Sequence, residues 1–282
     1  MAHHRLFCEP RAGFVAHSLA SRRLAEEPLL ADSLWLLGDM LQTAQPYTVK
    51  AIEKYNDQEP GHAASSLACG TDKSMYEVME GDPALAARFA RAMTAFAKVT
   101  NRPTTAPRMN IARTYAWKNL KGKVVDIGGS RGTDAFILAK SFPHLQFVVQ
   151  DLPQMIAGAE ASVPPELAGR VEFMPYDFFT PQTFEADAYI MKQCFHNWPD
   201  HYCVRIVKNQ IPALKPGVRL IVIDSLVPEP GTMSILAERM VRSFDMMMLT
   251  NTNGREREMA DWIKIFEQAD SRFKNYPHAA HW

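Results

Sequence analysis

From Lys123 onward, short apolar, β-branched runs alternate with stretches whose apolar residues recur at helical spacing. The runs fall at about 124–127, 146–150, 170–174, 186–191 and 218–224, with helices between and after them at about 133–141, 153–160, 200–214 and 234–249. Strands that alternate with helices in this way form a parallel sheet with crossover connections, so an α/β domain is predicted over 106–282. Residues 1–105 have a different texture, helical and loop-joined, with no period-two alternation. Helical spacing covers Leu29 to Val49 and Asp82 to Val99, and Asp82-Pro83 supplies a capping carboxylate followed by proline in the first turn. A composition shift toward Pro and Thr at Asn101 to Pro107 marks the boundary, and Met109 to Trp117 reads as one more helix. There is no internal repeat and no low-complexity segment.

Polar groups sit where the apolar runs end. Val124-Val125-Asp126-Ile127 leads into Gly128-Gly129-Ser130-Arg131-Gly132, the second run ends at Gln150-Asp151, and Tyr176-Asp177-Phe178 follows the third. The fourth ends at Met191-Lys192 and runs on through Gln193-Cys194-Phe195 to His196. In an open α/β sheet, ligands bind outside the carboxyl ends of the strands. The glycine spacing is not the G-x-G-x-x-G of a dinucleotide site, and Asp126 would repel a pyrophosphate. A cofactor with a cationic amino-acid tail and no phosphate, S-adenosyl-L-methionine, suits these groups. Asp151 is placed to accept both hydroxyls of a ribose, Asp177 to take the adenine amino group and Phe178 to pack on the ring. Each also has a purely structural reading: a strand-to-helix turn for the glycines, and helix capping for Asp151 and Asp177.

Composition narrows the function classes. Lys+Arg and Asp+Glu both total 31, so the formal net charge is zero and nothing in the balance favours nucleic acid. Methyltransferases that modify base amines carry an Asn/Asp-Pro-Pro-aromatic turn after the fourth strand, where this chain has Lys192-Gln193-Cys194-Phe195. The four cysteines (Cys8, Cys69, Cys194, Cys203) form no CxxC or Cys/His cluster, against both a zinc site and a disulfide scaffold. The N-terminus has no signal-peptide core, and no run reaches the roughly 18 apolar residues of a membrane helix. A soluble, cytoplasmic protein is expected.

Taken together, the segments Val124–Gly132, Gln150-Asp151-Leu152-Pro153, Asp177-Phe178-Phe179 and Met191 to Trp198 resemble the plant-type, caffeic-acid-like small-molecule O-methyltransferases, in their fungal secondary-metabolite branch. Leu214-Lys215-Pro216-Gly217, Asp245 to Leu249 and Asn253-Gly254-Arg255-Glu256-Arg257 carry the same resemblance. It implies a Rossmann-like class I methyltransferase sheet behind a mainly helical N-terminal region for dimerisation and substrate. It also implies a homodimer and a small aromatic acceptor. Cofactor contacts are implied at Gly128, Gly129, Asp151, Asp177, Phe178 and Lys192. His196 falls on the general base, Asp224 and Glu256 on the acidic residues around it, and Met93 and Met248 on positions flanking the acceptor ring.

The implied chemistry needs a base. A neutral phenol (pKa about 10) is a poor nucleophile, and an imidazole (pKa about 6.5) can take its proton as attack begins. A carboxylate on the other ring nitrogen would fix the tautomer, and either Glu256 or Asp224 can serve. No metal is expected. The chain departs from the family pattern at Asn197, commonly Asp, at Asp224, commonly Glu, and at Arg131, a cation in the glycine turn. It also starts late in the helical region and leaves only Asn275 to Trp282 for two expected antiparallel strands, which reads as truncation at both ends. The alternative is a relative that binds the cofactor without methylating, either pericyclase-like or an inactive truncated copy. Arg255 and Arg257 read as surface charges, Trp198 as either a pocket wall or helix packing, and most of Met246-Met247-Met248 as core.

Overall fold

A computed structural model describes residues 6–100 and 110–273. Five parallel strands form the central sheet: β3 (Gly122–Ile127), β4 (Leu145–Asp151), β5 (Val171–Pro175), β6 (Ala188–Lys192) and β7 (Arg219–Ile223), in spatial order β5-β4-β3-β6-β7. An antiparallel hairpin, β1 (Phe7–Arg11) and β2 (Phe14–His17), precedes them in the chain. All five runs read from the sequence are therefore strands, with ends displaced by one or two residues.

Strands buried on both faces read as near-continuous apolar runs, and the side chains alternate between two cores. Val124, Phe147, Val149, Ala188 and Ile190 face one core, completed by Ala135 and Leu138 of helix Thr133–Ser141. Val125, Val148, Tyr189 and Met191 face the other, completed by Val204 and Val207 of helix Asp200–Gln210 and Ile265 of helix Met259–Ala269. Burying side chains of this size is worth about 1.5–3 kcal/mol each. The polypeptide leaves β3 outward through β4 and β5, then returns to lay β6 on the other side of β3. In open α/β sheets, such a reversal is where ligands bind, here beyond the ends of β3 and β6.

The N-terminal part is mostly helical, as read, but two expectations fail there. The hairpin was unforeseen: its strands are short and largely exposed, so they carry no buried stripe to signal them. The helix expected from Met109 to Trp117 is two single 3-10 turns, Ile111–Arg113 and Trp117–Asn119, where the indole of Trp117 donates to the carbonyl of Ile111 at 2.7 Å. Met109 itself, the predicted boundary at 105/106 and the segment from Asn275 to Trp282 lie outside the described residues. Helix Pro83–Thr100 begins as expected, with Asp82 Oδ1 accepting from the amides of Ala84 and Leu85, both at 3.0 Å.

The two parts share a third core, in which Leu36, Met79, Ala86 and Phe89 meet Met155 from the α/β part. The long helix Ile235–Thr252 returns to the N-terminal region, where Ser65 Oγ donates to the carbonyl of Asn251 at 2.7 Å. Just beyond, Asn253 Nδ2 donates to the carbonyls of Asp57 and Glu59. The end of this helix and the start of the loop after it are thus tied to the N-terminal region.

Candidate active site

The glycine turn after β3 is built for close approach. Gly128 has φ +72°, and a Cβ there would sit 2.7 Å from Cys194 Sγ. A Cβ on Gly129 would meet the Asp126 carboxyl group at 2.7 Å. Asp151 holds the turn from the next strand: one carboxylate oxygen accepts from the amide of Ser130 and the other from Leu152, both at 2.8 Å. Burial raises the Asp151 pKa to about 6, against the lowering effect of those two amides. Asp126 is 3% exposed, and burial followed by repulsion from Asp134 pushes it to about 7. Its Oδ2 and the hydroxyl of Ser130 are buried without a partner among the described residues.

Lys192 donates to both oxygens of Asp134, at 2.9 and 3.1 Å, which fastens the end of β6 to the first turn of the helix after the glycines. Asp177 accepts from the amide of Phe179 at 2.9 Å, the local capping role read as its alternative. Phe178 lies 3.9 Å from a Cβ built on Gly128 and packs edge-on against Trp198. Arg131 turns its guanidinium to the carbonyls of Ala157 and Gly158 and is half-buried.

The histidine comes from the next turn. Gln193 has φ +52° and donates its amide to the carbonyl of Ile223, which swings the chain off the sheet into the 3-10 turn Phe195–Asn197. His196 is 8% exposed, and its Nδ1 lies 2.9 Å from Glu256 Oε1. Of the two carboxylates, Glu256 is therefore the one bonded to the ring. Asp224, the first residue after β7, instead accepts from the amide of Phe195 at 3.2 Å. Burial pushes Asp224 to about 7, opposed by the charge of His196. Burial by itself would lower the His196 pKa, but the Glu256 hydrogen bond and the Asp224 and Glu256 charges overcome it, so the net direction is upward.

The structure thus places Gly128 and Gly129 after β3, Asp151 at the end of β4, Asp177 and Phe178 after β5 and Lys192 at the end of β6, all along one edge of the parallel sheet. His196, Glu256 and Asp224 meet beside them. Met93 and Met248 are less informative: Met93 packs into the N-terminal core with Leu36 and Phe89, and Met248 is buried outside that cluster. Trp198 packs as an aromatic cluster member, stacked on Tyr76 at 5.4 Å and edge-on to Phe179. Arg257 corrects the surface reading outright, being 0% exposed. The sequence reading also missed Asp134 and Gly254; the position of each within a turn motif was the available signal. A cleft of about 720 Å³ reaches Glu256 and Arg255 from the helix Thr48–Tyr55, but the strand-tip residues do not line it.

Residues 57–272 match the model of the O-methyltransferase domain. The chain belongs to this family. Among curated O-methyltransferase relatives, the grayanic acid biosynthesis cluster O-methyltransferase of Cladonia grayi is 45% identical over 96% of this chain and 57% of its own length. O-methyltransferase pyvH of Aspergillus violaceofuscus is 42% identical over 97% of this chain and 66% of its own length. The chain therefore spans 57 to 66% of the length of these two relatives. Among solved structures, the mitomycin 7-O-methyltransferase MmcR superposes with TM-score 0.74 at 25% identity, covering 95% of this chain and 74% of that one. A pericyclic reaction enzyme gives TM-score 0.75 at 23% identity over 95% and 68%, a likeness of fold. The sheet is that of a class I O-methyltransferase domain. Among the described residues no helix is long and apolar enough to cross a membrane.

Proposed function

We propose that the protein is a cytoplasmic, S-adenosylmethionine-dependent O-methyltransferase acting on a hydroxyl of a small aromatic secondary metabolite. The observation that carries this reading is the buried His196–Glu256 pair beside the glycine turn. The O-methyltransferase relatives, one of them from a grayanic acid biosynthesis cluster, support the same class.

The residues at the strand ends fit the cofactor. Gly128 and Gly129 let the turn pack directly on Cys194, Asp126 and Val149, and the unpartnered Asp126 Oδ2 and Ser130 Oγ are polar groups ready for a ligand. Asp151 and Asp177 would hold its ribose and adenine, Phe178 would pack on the base, and Lys192 would fix the Asp134 turn beneath it. When bound, the cofactor supplies a methyl group already made electrophilic by the sulfonium.

The residues of the chain then supply the base. A carboxylate only accepts, so Glu256 places the ring proton of neutral His196 on Nδ1 and leaves the lone pair on Nε2. That nitrogen takes the acceptor's hydroxyl proton, and the imidazolium formed is stabilised by Glu256 and Asp224. Met93 and Met248 flank the acceptor in this reading.

A homodimer is part of the proposal. Helix Ile235–Thr252 exposes Ile235, Leu236, Met240 and Phe244, an apolar face suited to a second copy; light scattering that gives a monomer would remove this part. Calorimetric titration with S-adenosylmethionine, followed by product analysis with phenolic acceptors, tests the rest. Binding with methylated product is expected. Binding with none from any acceptor would favour the non-methylating alternative.

A further inference from the structure

Arg257 is 0% exposed, and the loop Asn253 to Arg257 does more than carry Glu256. Taking a guanidinium out of water costs several kcal/mol unless its donors are matched, so a fully buried arginine needs a reason. All three of its nitrogens are used. Nη1 donates to the carbonyl of Phe195 at 3.0 Å, Nη2 to the carbonyl of Trp198 at 2.6 Å, and Nε to Asp200 Oδ1 at 2.9 Å. Those two carbonyls bracket His196 and Asn197, and the amide of Trp198 donates to the Phe195 carbonyl across the same turn.

Gly254 presses on the turn directly. A Cβ there would fall 2.1 Å from the carbonyl oxygen of His196, 2.7 Å from the carbonyl carbon of Asn197 and 2.9 Å from the amide of Trp198. The contacting atoms are all backbone, so no flexible side chain can yield to the added group. Asn253, at φ +55°, turns the chain from the helix into this contact. The loop is anchored independently of the histidine, since Arg255 donates to Asp200 Oδ2 at 2.6 Å and to Asp261 at 3.2 Å.

We propose that Arg257 and Gly254 are positioning residues that clamp the backbone of the His196 turn and so set where the imidazole can reach. This deepens the base assignment above and rests on it. Misplacing a reacting group by about 1 Å is enough to lose on the order of 100-fold in rate, and a turn held only by its own hydrogen bonds does not secure that tolerance. Arg257 also acts by charge. The groups that bear on His196 are Glu256 from the loop, Asp224 from the end of β7 and Arg257, the last opposing protonation, with Asp200 as the counter-charge of Arg257.

Two substitutions separate geometry from charge. Gly254→Ala displaces the turn and leaves every charge in place, whereas Arg257→Lys keeps the charge and loses the forked contact. For both, kcat is expected to fall about 10- to 100-fold with little change in the KM for S-adenosylmethionine. Arg257→Met should add a shift of the acid limb of the pH–rate profile to higher pH, and guanidinium ion should restore part of the activity of Arg257→Ala. Histidine-labelled NMR of the free protein supplies a readout independent of turnover. The Nδ1 proton signal of His196 should broaden or move in Gly254→Ala, and the His196 titration should move upward in Arg257→Met but not in Arg257→Lys. Wild-type kcat in both Gly254→Ala and Arg257→Lys, or an unchanged His196 spectrum, overturns the clamp. If His196→Ala itself turns over normally, the base assignment fails instead, which keeps the two failures distinct.

Discussion

His196 Nδ1 and Glu256 Oε1 lie 2.9 Å apart with both side chains buried. The pair fixes which nitrogen is free and which way the pH dependence runs. The base must be neutral, and its pKa is raised, so turnover should rise with pH through a value above the ordinary imidazole range. Glu256→Gln removes the hydrogen-bond and charge effects that raise it. The acid limb should then move to lower pH while kcat falls by roughly 100-fold or more, because the amide no longer enforces the tautomer. A pH–rate profile checks both; an unmoved limb would separate Glu256 from the base.

Stability should carry a matching signature. Asp126 and Asp224 are raised to about 7 and Asp151 to about 6, each first by burial. The folded state then keeps protons that an unfolded chain loses near pH 4. A raised pKa contributes stability that is complete below the unfolded value and is lost as pH climbs through the folded one. Thermal melts of the free protein should therefore show Tm falling between about pH 4 and pH 7. Asp126→Asn should flatten that slope, and a Tm that rises over the same window would contradict the assignment.

Much of this was legible in the chain, and the physical reason is uneven. Parallel strands covered by helices announce themselves as apolar runs, so β3 to β7 were placed from sequence with small errors at their ends. Asp151 and His196 were singled out because Asp151 ends such a run and His196 follows one. The exposed hairpin at Phe7–His17 carried no comparable signal. Glu256 could not be separated from Asp224, since the choice depends on how a loop 60 residues away folds back over the histidine. Arg257 read as surface because burial of a charge is decided by partners, here two backbone carbonyls and Asp200, that no local pattern reveals.

The glycine turn offers a controlled comparison. Gly128 and Gly158 both have positive φ, +72° and +67°, but only at Gly128 would a Cβ strike a neighbour, Cys194 Sγ at 2.7 Å. Gly158→Ala should lose only backbone strain, about 1–2 kcal/mol. Gly128→Ala should lose more, roughly 2–4 kcal/mol once the clash is added to the strain, and should weaken S-adenosylmethionine binding at least 10-fold. Denaturant melts and calorimetry on the two variants read the difference.

Asp151 accepts two amides on two separate oxygens. An asparagine has one acceptor oxygen, so Asp151→Asn leaves either Ser130 or Leu152 facing an NH2 group. Cofactor affinity should fall by more than 10-fold, and undiminished binding would remove Asp151 from the site.

The most direct test is a single-turnover assay of wild type and His196→Ala with S-adenosylmethionine and a phenolic acceptor, run beside calorimetric binding of the cofactor. The base assignment requires equal cofactor affinity in the two proteins, with product formation slowed on the order of 100- to 10,000-fold in the variant. Equal rates of methyl transfer would contradict it.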